Sequence, residues 1–402
     1  MKSHFFRTAL VLGLLSAIGP FAIDMYLPAL PSIGQSLGAS MGAVQASLMA
    51  FFLALSIGQL IYGPVSDMVG RKLPLYFGLL LFAAASVGCA LAPDIHTLVI
   101  LRFVQGLGAC AGMVVPRAVV RDLHTGHDAA RLMSMLMLVF SVSPVLAPLT
   151  GSYLIEWFGW RSVFWAVTIA AALGIALLAT SLPETRPPAD RVDSSVGSAL
   201  SSYGVLLRDR HFLGLACIGG FGIASFFAYL ANSSFVLIDH YGLTPRQYSF
   251  CFAANAAAFI GASQFTGALS QRFGMARVVK LAVIGFAGVM ALLAALNLVG
   301  VDRLDVLLVL LFVGYCFLGM VVPTSAVLAL DDHGQIAGTA SAMLGTVQFV
   351  VGALVMAVVG LFVDGSARPM VLGIAGSALI TFALTRGTLG GTRAAAAAAA
   401  PR

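Results

Sequence analysis

Two charged residues lie inside apolar runs of the sequence, where a charge is costly. Asp24 closes the first run, in the stretch FAIDMYLPALP (residues 21–31), and Arg102 lies within LVILRFVQGLGACAGMVV. A charge at the centre of a membrane span costs roughly 2.5 kcal/mol or more. At about 1.5 Å per helical residue, both charges fall at comparable depth on different helices. The sequence therefore predicts that Asp24 and Arg102 are partners or communicating sites, and that Asp24 is the group that carries protons.

Each charge also has a plainer interpretation. Asp24 could reach the outer headgroups from a helix end, or it could face a central cavity and accept protons. Arg102 could bind backbone carbonyls or join an ion pair that holds helices together, although Gln105, one turn away, favours a polar wall. Pro28 has no N–H, so the carbonyl of residue 24 loses its helical partner, as in the disturbed helices that line cavities. Close approach of neighbouring helices is predicted by Gly106, Gly108 and Gly112.

The composition excludes a soluble domain. Sixty per cent of the residues are hydrophobic and 9% are charged, against about 25% charged in soluble proteins. The net charge of +6 fits basic residues retained on one side of a membrane better than it fits nucleic-acid binding. The five cysteines lie in apolar runs without a CxxC pair or partnering histidines, so we expect no disulfide, metal site or cofactor. The sequence offers no nucleophile–base pairing, and we do not expect an enzyme.

The apolar runs predict an all-α membrane protein, because lipid leaves backbone groups no other partner. The first run is interpreted as a retained span, not as a cleaved signal peptide. A span needs about 20 apolar residues. The twelve candidates cover residues 8–29, 44–63, 74–92, 97–118, 132–154, 162–182, 211–233, 247–268, 277–299, 304–328, 336–361 and 367–385.

The distribution of lysine and arginine predicts the orientation of these spans. Seventeen basic residues fall at the termini and in every second loop, and four fall on the opposite side. Basic loops stay in the cytoplasm, so both termini are expected there. One loop on the predicted inner side, DDHGQ at 331–335, has no lysine or arginine.

A polar stretch at residues 183–210 divides the chain into six spans and six. GPVSDMVG (63–70) follows the second span, and GALSQRFG (267–274) follows the eighth, which indicates a duplication. The predicted domains are an N-terminal bundle 1–182, a cytoplasmic linker 183–210, a C-terminal bundle 211–386 and a cytoplasmic tail 387–402.

Two further segments could move during a functional cycle. The loop GPVSDMVGRK (63–72) is either a tight basic loop or a lock, because Asp67 and Arg71 are four residues apart and can pair. In the fifth span, Pro144 and Pro148 remove helical hydrogen bonds, which predicts either a simple kink or a gate.

Uncharged polar residues at membrane depth in the second half predict a wall for an amphipathic, partly aromatic ligand, or else helix-packing contacts. With Tyr26 and Gln105 from the first half, the candidate substrate residues are Tyr229, Asn232, Asn255 and Tyr315.

The chain resembles the major facilitator superfamily and, within it, the drug:proton antiporters of the bicyclomycin/chloramphenicol resistance subfamily. The residues similar to the superfamily's inner-loop signature are Gly63, Asp67, Gly70, Arg71 and Lys72; those similar to its span-four signature are Leu101, Arg102, Gln105, Gly106 and Gly108. The stretch DMYLPALP is similar to the subfamily's first span. Pro148 and Gly151 match the antiporter signature of the fifth span. This chain departs from that signature at Ala147 and Ser152.

The resemblance implies a major facilitator fold with twelve transmembrane helices in two pseudo-symmetric six-helix bundles around a central cavity. It also implies proton-coupled efflux of small amphipathic drugs by alternating access, with no cofactor. Asp24 and Arg102 would couple protons, and the inner loop with the fifth span would switch conformation. We expect a monomer whose partners are drug, protons and lipid. Coupled transport of a polar metabolite such as a nucleoside, sugar or amino acid is the alternative.

Overall fold

The computed structural model describes residues 2–124, 126–191 and 196–390, and these residues form helices and connecting turns. The predicted tail beyond residue 390 lies outside them. Short 3₁₀ or π helices cover Leu27–Ala29, Pro188–Arg191, Phe235–His240 and Gly334–Ile336. The α-helices are α1 (Lys2–Asp24), α2 (Leu30–Leu37), α3 (Met41–Val69), α4 (Lys72–Leu91), α5 (Ile95–Leu123), α6 (Gly126–Phe158), α7 (Arg161–Ser181), α8 (Val196–Arg208), α9 (Arg210–Ser234), α10 (Pro245–Gln264), α11 (Thr266–Phe273), α12 (Met275–Leu298), α13 (Leu304–Asp331), α14 (Ala337–Gly360) and α15 (Arg368–Leu389).

Eleven helices within the described residues are long and apolar enough to cross a membrane. They correspond to all the predicted spans except the eighth, and the protein is a multi-pass membrane protein. The eighth predicted span is formed by α10 and α11, which meet at Phe265. Polar residues such as Asn255 and Gln264 lower the apolar character of α10, so the eighth membrane span stays a prediction.

The first span is broken where the sequence places its acid. Helix α1 ends at Asp24, a 3₁₀ turn follows at Leu27–Ala29, and α2 continues the span to Leu37. Pro28 and Pro31 account for the break, because neither supplies an N–H to the preceding turn. The span is therefore longer than the sequence predicted.

Contacts group the chain into two units. Unit 1 comprises residues 1–201 together with residues 233–253, which we call the crossover segment. Unit 2 comprises residues 202–232 and 254–402. The crossover segment contains the end of α9, the π-helix and the start of α10, so the contact grouping does not follow the order of the chain. The predicted division into domains stays a prediction.

Small residues bring the helices of unit 1 close together. Helix α5 packs against both α3 and α4. A Cβ placed on Gly108 would lie 2.5 Å from the Phe82 nitrogen and 2.6 Å from the Gly78 carbonyl oxygen. These neighbours are backbone atoms that cannot rotate away, so the glycine sets the distance between α5 and α4.

The two repeated loop sequences end in the same backbone conformation. Gly70, after α3, has φ +97°, and Gly274, after α11, has φ +83°. Side chains other than glycine rarely adopt this region, which explains why both copies end in glycine. In unit 2, α12 packs on α13 and on α15.

We predict that Gly108→Ala lowers the free energy of unfolding by about 1–3 kcal/mol, because the added methyl group overpacks backbone atoms. The check is thermal unfolding of the purified protein in detergent. Gly288→Ala on α12 is the matched control, because nothing lies within 4 Å of its added Cβ. Equal melting temperatures for the two variants would contradict the packing account.

Candidate functional site

Asp24 lies in the interior of unit 1, at the last residue of α1. Asp24 is only 6% exposed, and its Oδ2 accepts a hydrogen bond from the Ser143 Oγ at 3.2 Å. Ser143 is on α6. No ion pair involves Asp24 within the described residues. The acid is thus held by a neutral hydroxyl against a neighbouring helix.

Arg102 is fully buried and approaches α1 from α5. Its Nη1 donates to the Gln105 Oε1 at 2.6 Å and to the Ala22 carbonyl oxygen at 3.3 Å. The direct pairing with Asp24 that similar depth suggested is not formed. A step of two residues turns a helix by about 200°, so α1 can meet α5 near Ala22 while Asp24 is directed at α6.

Aromatic rings enclose the rest of the Arg102 guanidinium. Its Cζ lies 4.3 Å from the ring centroids of both Tyr26 and Phe51, and 6.0 Å from that of Phe164. Nε and Nη2 have no hydrogen-bond partner among the described residues. The negative faces of these rings compensate part of the charge that burial removes from water.

The two candidate substrate residues of the first half are buried inside unit 1. Gln105 uses both ends of its amide, because its Nε2 also donates to the Ser86 Oγ at 2.7 Å on α4. The Tyr26 hydroxyl and the Ser47 Oγ on α3 share a hydrogen bond of 2.7 Å. In this structure both residues connect helices, and their contact with a substrate stays a prediction.

The candidate substrate residues of the second half lie in unit 2, and three of the four come together. The Asn255 Nδ2 donates to the Tyr229 hydroxyl at 3.0 Å, and the rings of Tyr229 and Tyr315 are 5.6 Å apart. Phe226 and Phe259 complete this aromatic cluster. The Tyr315 hydroxyl is buried without a hydrogen-bond partner among the described residues. The Asn232 Nδ2 donates to the Ala228 carbonyl of its own helix.

Helix α6 approaches the broken part of the first span at Gly151. A Cβ at this position would overlap the carbonyl oxygen of Met25, the residue after Asp24. Pro144 and Pro148 lie inside α6, and Ser143 immediately precedes Pro144. The glycine and the serine of α6 therefore position the same turn of the first span, one by close approach and the other by its hydrogen bond.

The crossover segment also contacts the elements around Asp24. The Ser234 Oγ donates to the Leu27 carbonyl at 2.6 Å, and the Ser249 Oγ donates to the Pro148 carbonyl at 2.9 Å. Pro31 cannot supply the α-helical N–H to the Leu27 carbonyl, which accepts instead from the Leu30 N–H of the 3₁₀ turn. Ser234 adds a second donor to this carbonyl. Sequence analysis missed both serines, since single serines are common in apolar helices.

The loop after α3 forms an ion cluster with residues from distant parts of unit 1. The Arg71 Nη1 lies 2.6 Å from the Asp67 Oδ1, and its Nε lies 2.7 Å from the Asp122 Oδ2 on α5. Nη2 donates to the other Asp122 oxygen at 3.1 Å, which makes this contact bidentate. Ser66, whose hydroxyl accepts from Nη1 at 2.8 Å, completes the coordination of Arg71.

Glu184 from the start of the linker caps this loop. Its oxygens accept hydrogen bonds from the backbone nitrogens of Arg71 at 2.9 Å and Lys72 at 3.2 Å. Gly70 leaves the space that the carboxylate fills, because a Cβ there would lie 2.6 Å from the Glu184 Oε2. Arg186 adds a hydrogen bond of 2.8 Å to the Asp67 carbonyl. Gly63 has open space beside it, and its carbonyl accepts from Ser66.

Burial opposes the charged form of Glu184, but three backbone donors and the Arg191 guanidinium outweigh this effect and lower its pKa. A depressed pKa stabilises the docked linker at pH values above the ordinary value of 4.5, and this stabilisation is lost as the pH falls through the depressed pKa. Sequence reasoning found Asp67 and Arg71 from their spacing, and missed Asp122 and Glu184.

Comparisons with known proteins agree with this architecture. The family model described as Major Facilitator Superfamily matches residues 12–357. The chain is 39% identical over 389 residues to the uncharacterized MFS-type transporter YdgK of Bacillus subtilis, covering 95% of this chain and 96% of the relative. It is 30% identical over 364 residues to a bicyclomycin resistance protein homolog of Haemophilus influenzae, covering 90% of each. Among solved structures, a D-xylose-proton symporter matches with a TM-score of 0.74 and 18% identity, covering 96% of this chain and 99% of that one, which indicates the fold alone.

We predict that Glu184→Gln loosens the linker from the loop after α3, because the neutral amide accepts weaker hydrogen bonds from the Arg71 and Lys72 nitrogens. Hydrogen–deuterium exchange of residues 184–191 should become faster by about tenfold, as a loss of about 1.4 kcal/mol implies. In the native chain, the same increase should occur only below pH 4.5, in the window that the lowered pKa defines.

Glu156→Gln is the matched control, since Glu156 is an exposed acid that pairs with Arg246 at 3.6 Å and forms no ion pair with the described linker residues. Unchanged exchange in Glu184→Gln, or an equal change in the control, would show that Glu184 does not hold the linker.

Proposed function

Because the chain belongs to the major facilitator superfamily, we propose that it exports small amphipathic drugs in exchange for protons. The observation that carries this proposal is Asp24, a buried carboxylate at a helix break with a hydroxyl and no cation beside it in the described structure. The relative named a bicyclomycin resistance protein homolog supports the substrate class.

Proton loading follows from the cost of burying a charge. An ionised carboxylate in an apolar interior is unfavourable unless it is paired, and protonation removes the charge. Ser143 suits both forms, because a hydroxyl can donate to the carboxylate and can accept from the carboxylic acid. In the proposed cycle, Asp24 takes a proton from the outer side, and drug binding from the inner side displaces it.

Arg102 would assist this exchange through α1. It binds the Ala22 carbonyl two residues before Asp24, and Tyr26 two residues after Asp24 covers its face. A change in the turn containing Asp24 would therefore alter the surroundings of a fixed positive charge. The inward movement of each proton supplies about 2.3 kcal/mol per 100 mV of membrane potential.

The aromatic cluster of unit 2 suits the drug. Its rings offer apolar contact, and the buried Tyr315 hydroxyl has no hydrogen-bond partner among the described residues, so a ligand carbonyl or amine could provide one. Tyr229, Asn255 and Tyr315 are proposed as substrate contacts on this basis. Tyr26, Gln105 and Asn232 are proposed from the sequence alone.

Two segments would switch the protein between its states. The ion cluster around Arg71, with Gly63, Asp67, Gly70 and Lys72, would open and close with the docked linker. Pro144, Pro148 and Gly151 would let α6 shift against the broken turn of the first span, since each proline removes one helical hydrogen bond.

The sidedness of the protein follows from its basic residues. Seventeen lysines and arginines fall on one predicted side and four on the other, so we place both termini in the cytoplasm and the chain in the bacterial inner membrane.

Asp24→Asn is predicted to abolish proton-driven drug export while the protein still inserts, because asparagine cannot take up the proton. The measurement is a drug-susceptibility panel in an efflux-deficient host, followed by drug uptake into inverted vesicles under an imposed pH gradient. Asp239→Asn is the matched control, an exposed acid in the π-helix Phe235–His240. Undiminished gradient-driven uptake by Asp24→Asn would refute proton coupling through this residue. If the pH gradient instead drives uptake of a labelled polar metabolite, and drugs do not compete with that metabolite, the drug assignment is wrong.

Arg102→Ala should reduce the proton-coupled rate by more than tenfold, and Arg102→Lys by less. Lysine keeps the charge over the aromatic rings, whereas alanine leaves the rings and the Gln105 amide without their cation. The comparison is the initial rate of uptake in vesicles with equal amounts of each protein. Full activity in both variants would reject a coupling role for Arg102.

A further inference from the structure

A basic cavity in unit 2 is lined by residues that do not belong to the aromatic cluster. It has a volume of about 640 Å³ and is formed by the start of α12 and the end of α15, two helices that pack together. Three cations line it: Arg277 and Lys280 from α12, and Arg386 from α15. None of these cations forms an ion pair in the described structure, and the described lining residues include no acid. The cavity therefore presents positive charge that no lining acid neutralises, although the Arg386 guanidinium lies 5.4 Å from the Phe382 ring centroid.

The lining changes from basic to apolar along both helices. On α12, Leu281 and Ile284 lie at the i+4 and i+7 positions from Arg277, on the same face of the helix. They are 60% and 55% exposed, so they offer an apolar surface that the protein itself leaves uncovered. Helix α15 repeats the order in the opposite chain direction, because Phe382 lies one turn before Arg386.

A phospholipid has this same order of chemistry. Its phosphate would lie among the three cations, and an acyl chain would follow the apolar surface roughly 10 Å further along α12. The first turn of α12 adds to the attraction, because Gly274 gives it no side-chain cap and helix N-termini favour phosphate. Basic pockets between transmembrane helices at the cytoplasmic surface suit anionic headgroups.

We propose that this cavity binds an anionic phospholipid through its headgroup phosphate, in the leaflet that the charge distribution places on the cytoplasmic side. A free anion would use the cations alone and would not need Leu281 and Ile284. The lipid uses both, and the exposed apolar face favours it. The site is independent of the proton and drug sites proposed above, so it stands even if those assignments fail.

The test is native mass spectrometry of the detergent-purified full chain, titrated with phosphatidylglycerol and, separately, with phosphatidylcholine. Each cation replaced by glutamine should weaken phosphatidylglycerol binding by roughly fivefold, and the variant Arg277→Gln/Lys280→Gln/Arg386→Gln by about 100-fold. The matched control, Arg208→Gln/Arg210→Gln/Arg272→Gln, loses the same charge outside the cavity lining and should bind as the native chain does.

The single variant Lys280→Gln keeps the test valid if the triple variant does not fold. Equal weakening in the control, or equal affinity for both lipids, would show general charge attraction and overturn the proposal. Displacement of phosphatidylglycerol by millimolar inorganic phosphate alone would identify a free-anion site, which also overturns it.

Discussion

The structure depends on how a carboxylate is kept inside an apolar bundle. The first span ends its regular helix at Asp24, and two prolines prevent the helix from closing over the next turn. Neighbouring elements then compensate: Ser143 reaches the carboxylate, Ser234 reaches the Leu27 carbonyl, and Gly151 leaves room for Met25. These contacts come from α6 and from the crossover segment, so displacing either element would change the surroundings of the acid. That dependence gives a physical basis for coupling its protonation to helix movement.

The two charged sites of unit 1 are stabilised by different means. Arg71 is surrounded by carboxylates, and hydrogen bonds and charges from Asp67 and Asp122 outweigh the cost of its burial. Arg102 is surrounded by aromatic rings and neutral oxygens, which compensate its charge less completely. A strongly paired cation suits a lock that must hold until it is displaced. A weakly compensated cation suits a site whose neighbours change charge during a cycle.

The sequence predicted the spans and the family because both follow from local patterns: apolar length, basic loops and motif spacing. It also predicted contacts between residues close along a helix, such as Asp67 and Arg71. It could not predict that Asp122, 51 residues away, and Glu184, 113 residues away, complete the same cluster. Depth alone suggested that Asp24 faces Arg102, but depth does not determine the rotation of a helix. Ser143 was missed because a serine in an apolar run gives no sign of its partner.

In the proposed cycle, drug and proton compete for the protein through Asp24. This competition is tested by proton release when drug binds to the purified protein in weakly buffered detergent solution, followed with a pH-sensitive dye. We expect drug binding to acidify the solution with the native chain, and Asp24→Asn to bind drug without releasing protons. Binding without acidification in the native chain, or equal acidification by Asp24→Asn, would contradict it.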